Sequence, residues 1–235
     1  MVRLVAFFAM EARLDHVMIV VRDLQQAAEA YRALGFRVIE GGRHTGMGTC
    51  NQIVRFGLDY LELLAVYSED EASRFQSRRR IMDFLRRREG AFTYALAVKG
   101  LPPDAPAGED RERKRPDGTV LRWRTGYQNL MGEQPLRPFL IEWEESDEEL
   151  LARYQREGEA GGHPNGALAW TGITVGVPDV AAARAAYLEM LGADRPEGVT
   201  FVPGDGIVRL AIRTAGEPRL IPAEQACGVE IELLR

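Results

Sequence analysis

The sequence is poor in cysteine, histidine and long apolar runs. Its 235 residues include 2 cysteines, Cys50 and Cys227, and 3 histidines, His16, His44 and His163. Two cysteines exclude a disulfide framework and a thiolate zinc cluster, and they fit a reducing, cytoplasmic setting. No apolar stretch approaches the roughly 20 residues that a membrane helix needs, so a membrane partner is not expected. The opening MVRLVAFFAM is apolar but short and lacks a small-residue cleavage site. It reads as a loose tail or an extra edge strand, with Met10 as an alternative start. A basic excess is missing too. The net charge is -5 and the isoelectric point near 5.4, which argues against a nucleic-acid partner. The one basic stretch, SRRRIMDFLRRREG, reads as an amphipathic helix that buries Ile81, Phe84 and Leu85 and solvates its arginines.

What is present is enough apolar chain, 46% of residues, for a sizeable core. LDHVMIVVRDL, residues 14–24, reads as a strand. Alternation places His16 with Leu14, Met18 and Val20, opposite Val17, Ile19 and Val21. Both faces are apolar, so the histidine points at something other than bulk water. A helix follows, with Asp23 as N-cap, Gly35 as stop, and a stripe of Leu24, Ala27, Ala28, Tyr31 and Leu34. FRVIE, a glycine-rich loop, NQIVRF and DYLELLAVY then complete a β-α-β-β-β unit.

Residues 169–192 repeat this opening, matching Asp179 to Asp23, Tyr187 to Tyr31 and Gly192 to Gly35. Residues 91–146 read as the same unit without its helix. Three prolines in LPPDAPAGED forbid a normal one, and a hairpin is expected around Pro116-Asp117-Gly118. The expected organisation is an N-terminal extension at 1–12, a first βαβββ module at 13–67 and a helical connector at 68–90. A reduced middle module follows at 91–146, a connector at 147–166 and a C-terminal βαβββ-like module at 167–235.

Two loops carry candidate chemistry. In GGRHTGMGTCNQ the glycines admit close backbone approach and their amides can bind an anion. Arg43 adds a cation, His44 a proton carrier and Asn51 a donor and an acceptor. The alternative is a structural turn. In GGHPNG, His163 and Asn165 either reach a cleft or shape a turn. Trp123, Tyr127, Phe139 and Trp143 either line that cleft or pack the core.

Taken together, LDHVMIVVRDLQQAAEAYRALGF, DYLELL, GGRHTGMGTCNQ, RPDGTVLRWR, RPFLIEWEE and GGHPNGALAWTGITV resemble the glyoxalase-like domain group of the vicinal oxygen chelate superfamily. The resemblance runs from about residue 13 onward. It implies an α+β fold of repeated βαβββ modules whose curled mixed sheets enclose a cleft. It also implies a divalent metal, bound by histidine and glutamate from the first and last strands of each module. His16 and Glu62 match those positions in the first module, and Glu142 in LIEWE is the middle module's counterpart of Glu62. The first strand of the middle module offers only Thr93 or Tyr94. Gly172 and Arg209 stand at the two positions in the C-terminal module. Imidazole and carboxylate donors suit zinc, manganese, iron or nickel. The alternatives are a hydrogen-bonded buried histidine for His16, a solvated Glu142, and a Glu62 paired with Arg122, Arg124 or Arg209.

Two functions are expected from this, beside a third option, a metal-free enzyme using His44 or His163 as an acid or base. One is a lyase, isomerase or dioxygenase acting on a small oxygen-rich metabolite, with a metal on His16, Glu62 and Glu142 and with His44 moving the proton. The other is a metal-free binding protein of the bleomycin-resistance type. Its ligand would be held by Arg43, Asn51, Arg124, Trp143 and His163. Module pairing in the superfamily also makes a homodimer an expected assembly.

Overall fold

A computed structural model describes residues 10–114, 118–133, 136–193 and 195–235. The start of the N-terminal extension and most of the Pro116-Asp117-Gly118 turn lie outside the described residues.

The first module comprises β1 (Ala12–Val20), α1 (Leu24–Ala33), β2 (Ile39–His44), β3 (Thr49–Arg55) and β4 (Tyr60–Val66). The connector forms α2 (Glu69–Ala72) and α3 (Gln76–Arg87). The middle module is all strand: β5 (Gly90–Val98), β6 (Glu109–Lys114), β7 (Val120–Gly126) and β8 (Phe139–Trp143). After α4 (Asp147–Arg156) come β9 (Ala167–Val177), α5 (Val180–Leu191), β10 (Val199–Pro203), β11 (Gly206–Thr214), β12 (Arg219–Ile221) and β13 (Glu230–Leu234).

The first and middle modules share one eight-stranded sheet, ordered β2-β3-β4-β1-β5-β8-β7-β6, joined at the antiparallel β1–β5 pair. The sheet is curled. Arg111 on one edge strand reaches Met47, in the β2–β3 turn at the other edge, with Nη1 3.9 Å from Sδ. The C-terminal module forms a separate five-stranded sheet, β10-β9-β11-β13-β12.

The two faces of the large sheet have different jobs. Its outer face carries Val17, Ile19, Leu61, Leu63, Tyr94 and Leu96. These merge with Tyr31 of α1 and with Val175, Leu210 and Ile212 of the small sheet into one core. Tyr94 and Tyr187 meet there through their hydroxyls, and Tyr187 donates to the Leu136 carbonyl at 2.8 Å. Paired hydroxyls let both rings be buried without orphaning a polar atom. The inner face carries Met18, Val20, Leu64, Phe92 and Phe139, covered by Ile81 and Phe84 of α3.

Leu14 departs from the expected alternation. The β1–β5 register shifts between Leu14 and His16. This bulge turns Leu14 into the outer core, while His16, Met18 and Val20 face inward.

The repeated opening has a local cause. Asp23 accepts from the amides of Gln25 and Gln26, and Asp179 from those of Ala181 and Ala182. Each such cap contributes about 1 kcal/mol.

Candidate active site

The site grows from the inner face of β1 and β4. The parallel register sets Met18 beside Glu62 and His16 beside Tyr60. The His16 ring stacks on Tyr60 at 4.6 Å between centroids and meets the Phe139 edge at 5.4 Å. Its Nδ1 lies 2.7 Å from Oδ1 of the neighbouring Asp15. The other Asp15 oxygen accepts from the Trp143 indole at 2.9 Å.

Burial alone would push the Asp15 carboxyl up. The hydrogen bond and charge of His16, the Arg13 guanidinium and the Trp143 N–H outweigh it and hold the carboxyl below the usual carboxylate range. An ionised Asp15 can only accept, so His16 holds a proton on Nδ1, and in the neutral imidazole the Nε2 lone pair faces the inner side of the sheet.

Glu62 sits opposite that lone pair, with Oε2 3.9 Å from His16 Nε2. Its other oxygen lies 3.9 Å from His44 Nε2 and accepts from the Asn51 amide at 2.6 Å. Asn51 Oδ1 in turn accepts from the Gly42 amide at 3.1 Å, and His44 Nδ1 is 2.8 Å from the Thr49 hydroxyl. The glycine-rich loop thus serves the site by packing. A Cβ at Gly41 would fall 2.0 Å from Asn51 Oδ1, so glycine is what lets Asn51 reach Glu62. The Gly48 amide is spent on Glu71 at 3.1 Å.

Of the residues expected at the site, His16, His44, Asn51 and Glu62 converge, and Trp143 supports them through Asp15. Glu142 does not join them. It lies on the face of β8 opposite Phe139 and Ile141, and its carboxylate accepts from the Gly100 amide at 2.6 Å. Arg43 lies over the Tyr67 ring, 4.8 Å from its centroid. Arg124 donates to the Pro103 carbonyl.

His163 is buried between Phe36 and Phe56 in the outer core. Its Nδ1 accepts from the Arg37 amide at 3.0 Å, which leaves Nε2–H to donate to the Arg55 carbonyl at 2.9 Å. Burial pushes this imidazole down, against the Arg55 hydrogen bond. Its role is to hold the GGHPNG loop, whose Asn165 donates to the Leu34 carbonyl at 3.1 Å. A groove of about 690 Å³ runs along the β6–β8 edge. Of the residues expected at the site, Arg124, Glu142 and Trp143 line it, whereas His16, His44, Asn51 and Glu62 do not.

Two site residues, Asp15 and Arg78, escape a reading of the sequence, which names a third, Thr93, only as one of two residues standing where the middle module lacks a histidine. Asp15 is signalled only by its place beside His16. Thr93 faces Met18 across the β1–β5 pair, and its buried hydroxyl has no partner among the described residues. Arg78 is expected on a solvated face. It is buried instead, and its charge is felt by Glu62. None of Arg122, Arg124 and Arg209, the arginines considered as partners for Glu62, fills that role. Arg122 pairs with Glu112 and Glu144, Arg124 with Asp110, and Arg209 with Glu230 and Glu232.

The register also tests the expected metal ligands. His16 opposes Ala95 and Met18 opposes Thr93, so a two-fold relation carries His16 onto Thr93. Met18 lies beside Glu62 and Ala95 beside Phe139, which carries Glu62 onto Phe139. A hydroxyl and a phenyl ring therefore stand where two further ligands are needed. Neighbouring ligands on an ion at about 2.1 Å lie roughly 3.0–3.4 Å apart, closer than His16 or His44 comes to Glu62. Among the described residues no three His, Cys, Asp or Glu side chains are arranged to hold an ion. As placed, these side chains do not fit the superfamily's metal.

A glyoxalase-like domain model matches residues 14–191. The chain belongs to the glyoxalase-like domain family. It carries the vicinal oxygen chelate fold that the sequence resemblance implied. A hypothetical protein from Staphylococcus aureus superposes on this glyoxalase-like chain with a TM-score of 0.72 at 14% identity, covering 95% of this chain and 99% of its own. A single-residue variant of homoprotocatechuate 2,3-dioxygenase from B. fuscum gives 0.50 at 14% identity, covering 97% and 72%. Methylmalonyl-CoA epimerase from Streptomyces coelicolor is 21% identical over 55% of this chain and 93% of its own, with a TM-score of 0.38. No curated protein matches the chain. Among the described residues no helix is long and apolar enough to cross a membrane.

Proposed function

We propose that this glyoxalase-like chain is an enzyme that binds a small oxygen-bearing metabolite on the inner face of the large sheet and moves a proton with His16. One observation carries the reading. The His16 imidazole is fixed by a buried carboxylate behind it and presents Nε2 to the inner face of the sheet, with a second carboxylate 3.9 Å beyond.

Asp15 and Trp143 orient the ring. A substrate C–H or O–H placed at Nε2 gives up its proton there, and the resulting imidazolium lies between Asp15 and Glu62, whose charges stabilise it. The anion left on the substrate falls in reach of the inner-face donors. Asn51 positions Glu62, and His44 is placed to return a proton from the far side of Glu62. Tyr60, Phe139 and Ile81 exclude water.

The test is solvent exchange at the carbon beside a carbonyl. Pyruvate, hydroxyacetone and glycolaldehyde are incubated with enzyme in D2O and followed by proton NMR. Catalysed exchange in the wild type, lost in His16→Ala with the fold intact by circular dichroism, is the expected result. Equal exchange in both proteins overturns the proposal.

A second reading has one feature in its favour. Two imidazoles and one carboxylate are a suitable donor set for a divalent ion. Element analysis and equilibrium dialysis against zinc and manganese test it. Stoichiometric metal, lost in both His16→Ala and Glu62→Gln, would favour it over the metal-free route.

A further inference from the structure

Arg78 is the least expected residue of the inner face. It shares a helical face of α3 with Ile81 and Phe84, and all three are buried. Ile81 packs in the cluster that holds Met18 and Leu64. Two residues back along those strands, on the same face, stand His16 and Glu62. Arg78 is one turn nearer the start of α3 than Ile81.

Among the described residues its side chain makes no hydrogen bond and no ion pair, and its Nε is buried without a partner. The charges it feels are Glu62 and Glu109, which are negative, and Arg111, which is positive. Arg111 is paired with Glu109. A guanidinium that reaches water only through its Nη atoms, with no hydrogen-bonded anion, costs free energy.

Two further features share this demand. The first turn of α3 holds no acidic residue, and its N-cap, Phe75, offers no side-chain acceptor. Arginines 78 to 80 thus stand at the positive end of a helix, which favours anions there. The Thr93 hydroxyl on the same inner face is also buried and unpartnered. An oxyanion bound there would satisfy both groups, taking hydrogen bonds from the fork of Arg78 and from the Thr93 hydroxyl.

We propose that Arg78, with Thr93, anchors an oxyanion on the substrate, so that the metabolite is a small carboxylate- or phosphate-bearing molecule whose reacting carbon lies toward His16. This rests on the inner face being the substrate site, as proposed above.

The test is binding at constant ionic strength, followed by thermal shift and calorimetry. The probes are pyruvate, malonate and inorganic phosphate, with hydroxyacetone and malonamide as uncharged counterparts. At least one oxyanion should raise the melting temperature while its uncharged counterpart does not, and the responding probe names the head group. Arg78→Met should weaken that binding by about tenfold or more, while raising the melting temperature of the ligand-free protein, because an unpaired buried charge is gone. Arg78→Lys should retain part of the affinity. Thr93→Val, nearly isosteric, should weaken it by a few fold.

Unchanged oxyanion affinity in Arg78→Met overturns the inference, as does a wild type that answers no oxyanion. A ligand-free Arg78→Met protein that melts earlier also counts against it, because the arginine would then be structural. Anion binding in a protein that catalyses no exchange would defeat only the proton-transfer reading. Exchange without anion binding would defeat only this one.

Discussion

The first and C-terminal modules open with nearly the same phrase and end in different places. Both run strand, Asp-capped helix, strand, and both bury a tyrosine from that helix in the common core. In the first module the strand after the helix goes to the sheet edge, and β1 takes β4 and β5 as neighbours. In the C-terminal module β10 pairs directly with β9.

Gly172, at the position of His16, shows why that place carries no ligand. A Cβ there would lie 2.6 Å from the Gly198 carbonyl oxygen, and the next residue, Ile173, donates its amide to that same oxygen at 2.7 Å. Glycine is needed so that the backbones can close. Arg209, at the position of Glu62, faces water and pairs with Glu230 and Glu232. One module keeps both sheet faces dry and carries the candidate site on one of them. The other keeps one face dry and turns the other to water.

Substitutions at matched positions break or sharpen this contrast. The largest effect belongs to His16→Ala. Loss of a positioned base should lower exchange per folded molecule by about 10²–10⁴-fold, beside a stability loss of about 1–3 kcal/mol, because a buried ring is removed and Asp15 loses its partner. A drop below threefold would remove His16 from the chemistry. Asp15→Asn acts on the same ring. It permits the wrong tautomer, and exchange should fall by about 10² or more. Asp15 also links stability to pH. Its folded value is depressed, so its contribution is complete above its ordinary value of about 3.9 and is lost as pH falls below that. Asp15→Asn should flatten the acid limb of the stability profile. An unchanged limb would argue against an ionised Asp15.

Gly172→Ala should differ from His16→Ala in the exchange it leaves. It should lower stability by about 1–3 kcal/mol through overpacking and leave exchange per folded molecule unchanged. Denaturant titration beside the exchange assay reads both, and an activity loss without a stability loss would place function in the C-terminal module.

Asp59→Asn is a smaller case in the first module. Burial, against Arg13, pushes this carboxyl up to about 6. Its ionised form is disfavoured in the fold, so stability falls as pH rises from about 4 to about 6. The variant should gain about 1–3 kcal/mol at pH 7 and nothing at pH 3.5, where both states hold the proton. A gain independent of pH would show another cause. Arg209→Ala is the smallest. Its ion pairs are exposed, so the change should stay within about 1 kcal/mol, and a larger loss would mean the outer face of the small sheet is not simply solvated.

Much of the fold was legible because its signals are local. Asp23 and Asp179 mark two helix starts, alternation in YLELL puts Glu62 on a face with Leu64, and prolines rule out a helix in the middle module. Half of the site was legible for the same reason, since His16 and Glu62 are buried polar groups inside apolar strands. Glu142 misled because the acidic residue nearest in sequence was matched, whereas register brings Phe139 to that place. For His163 both a cleft and a turn were open, and the turn is what its bonds to the Arg37 amide and the Arg55 carbonyl support. Arg78 was missed although it lies three residues before Ile81 on the buried face, because an arginine beside an apolar stripe ordinarily carries its charge out to water.

The amino-acid sequence by itself determined the order and kind of the elements, since caps, prolines and two-residue periodicity act within a few residues. It also determined that one histidine and one glutamate would be drawn out of water together. Only the tertiary structure decided which modules share a sheet, which strand registers set Thr93 and Phe139 opposite them, and which arginine would be shut in. Those are contacts between residues far apart in the chain, and register and curl, which no local preference encodes, select among them.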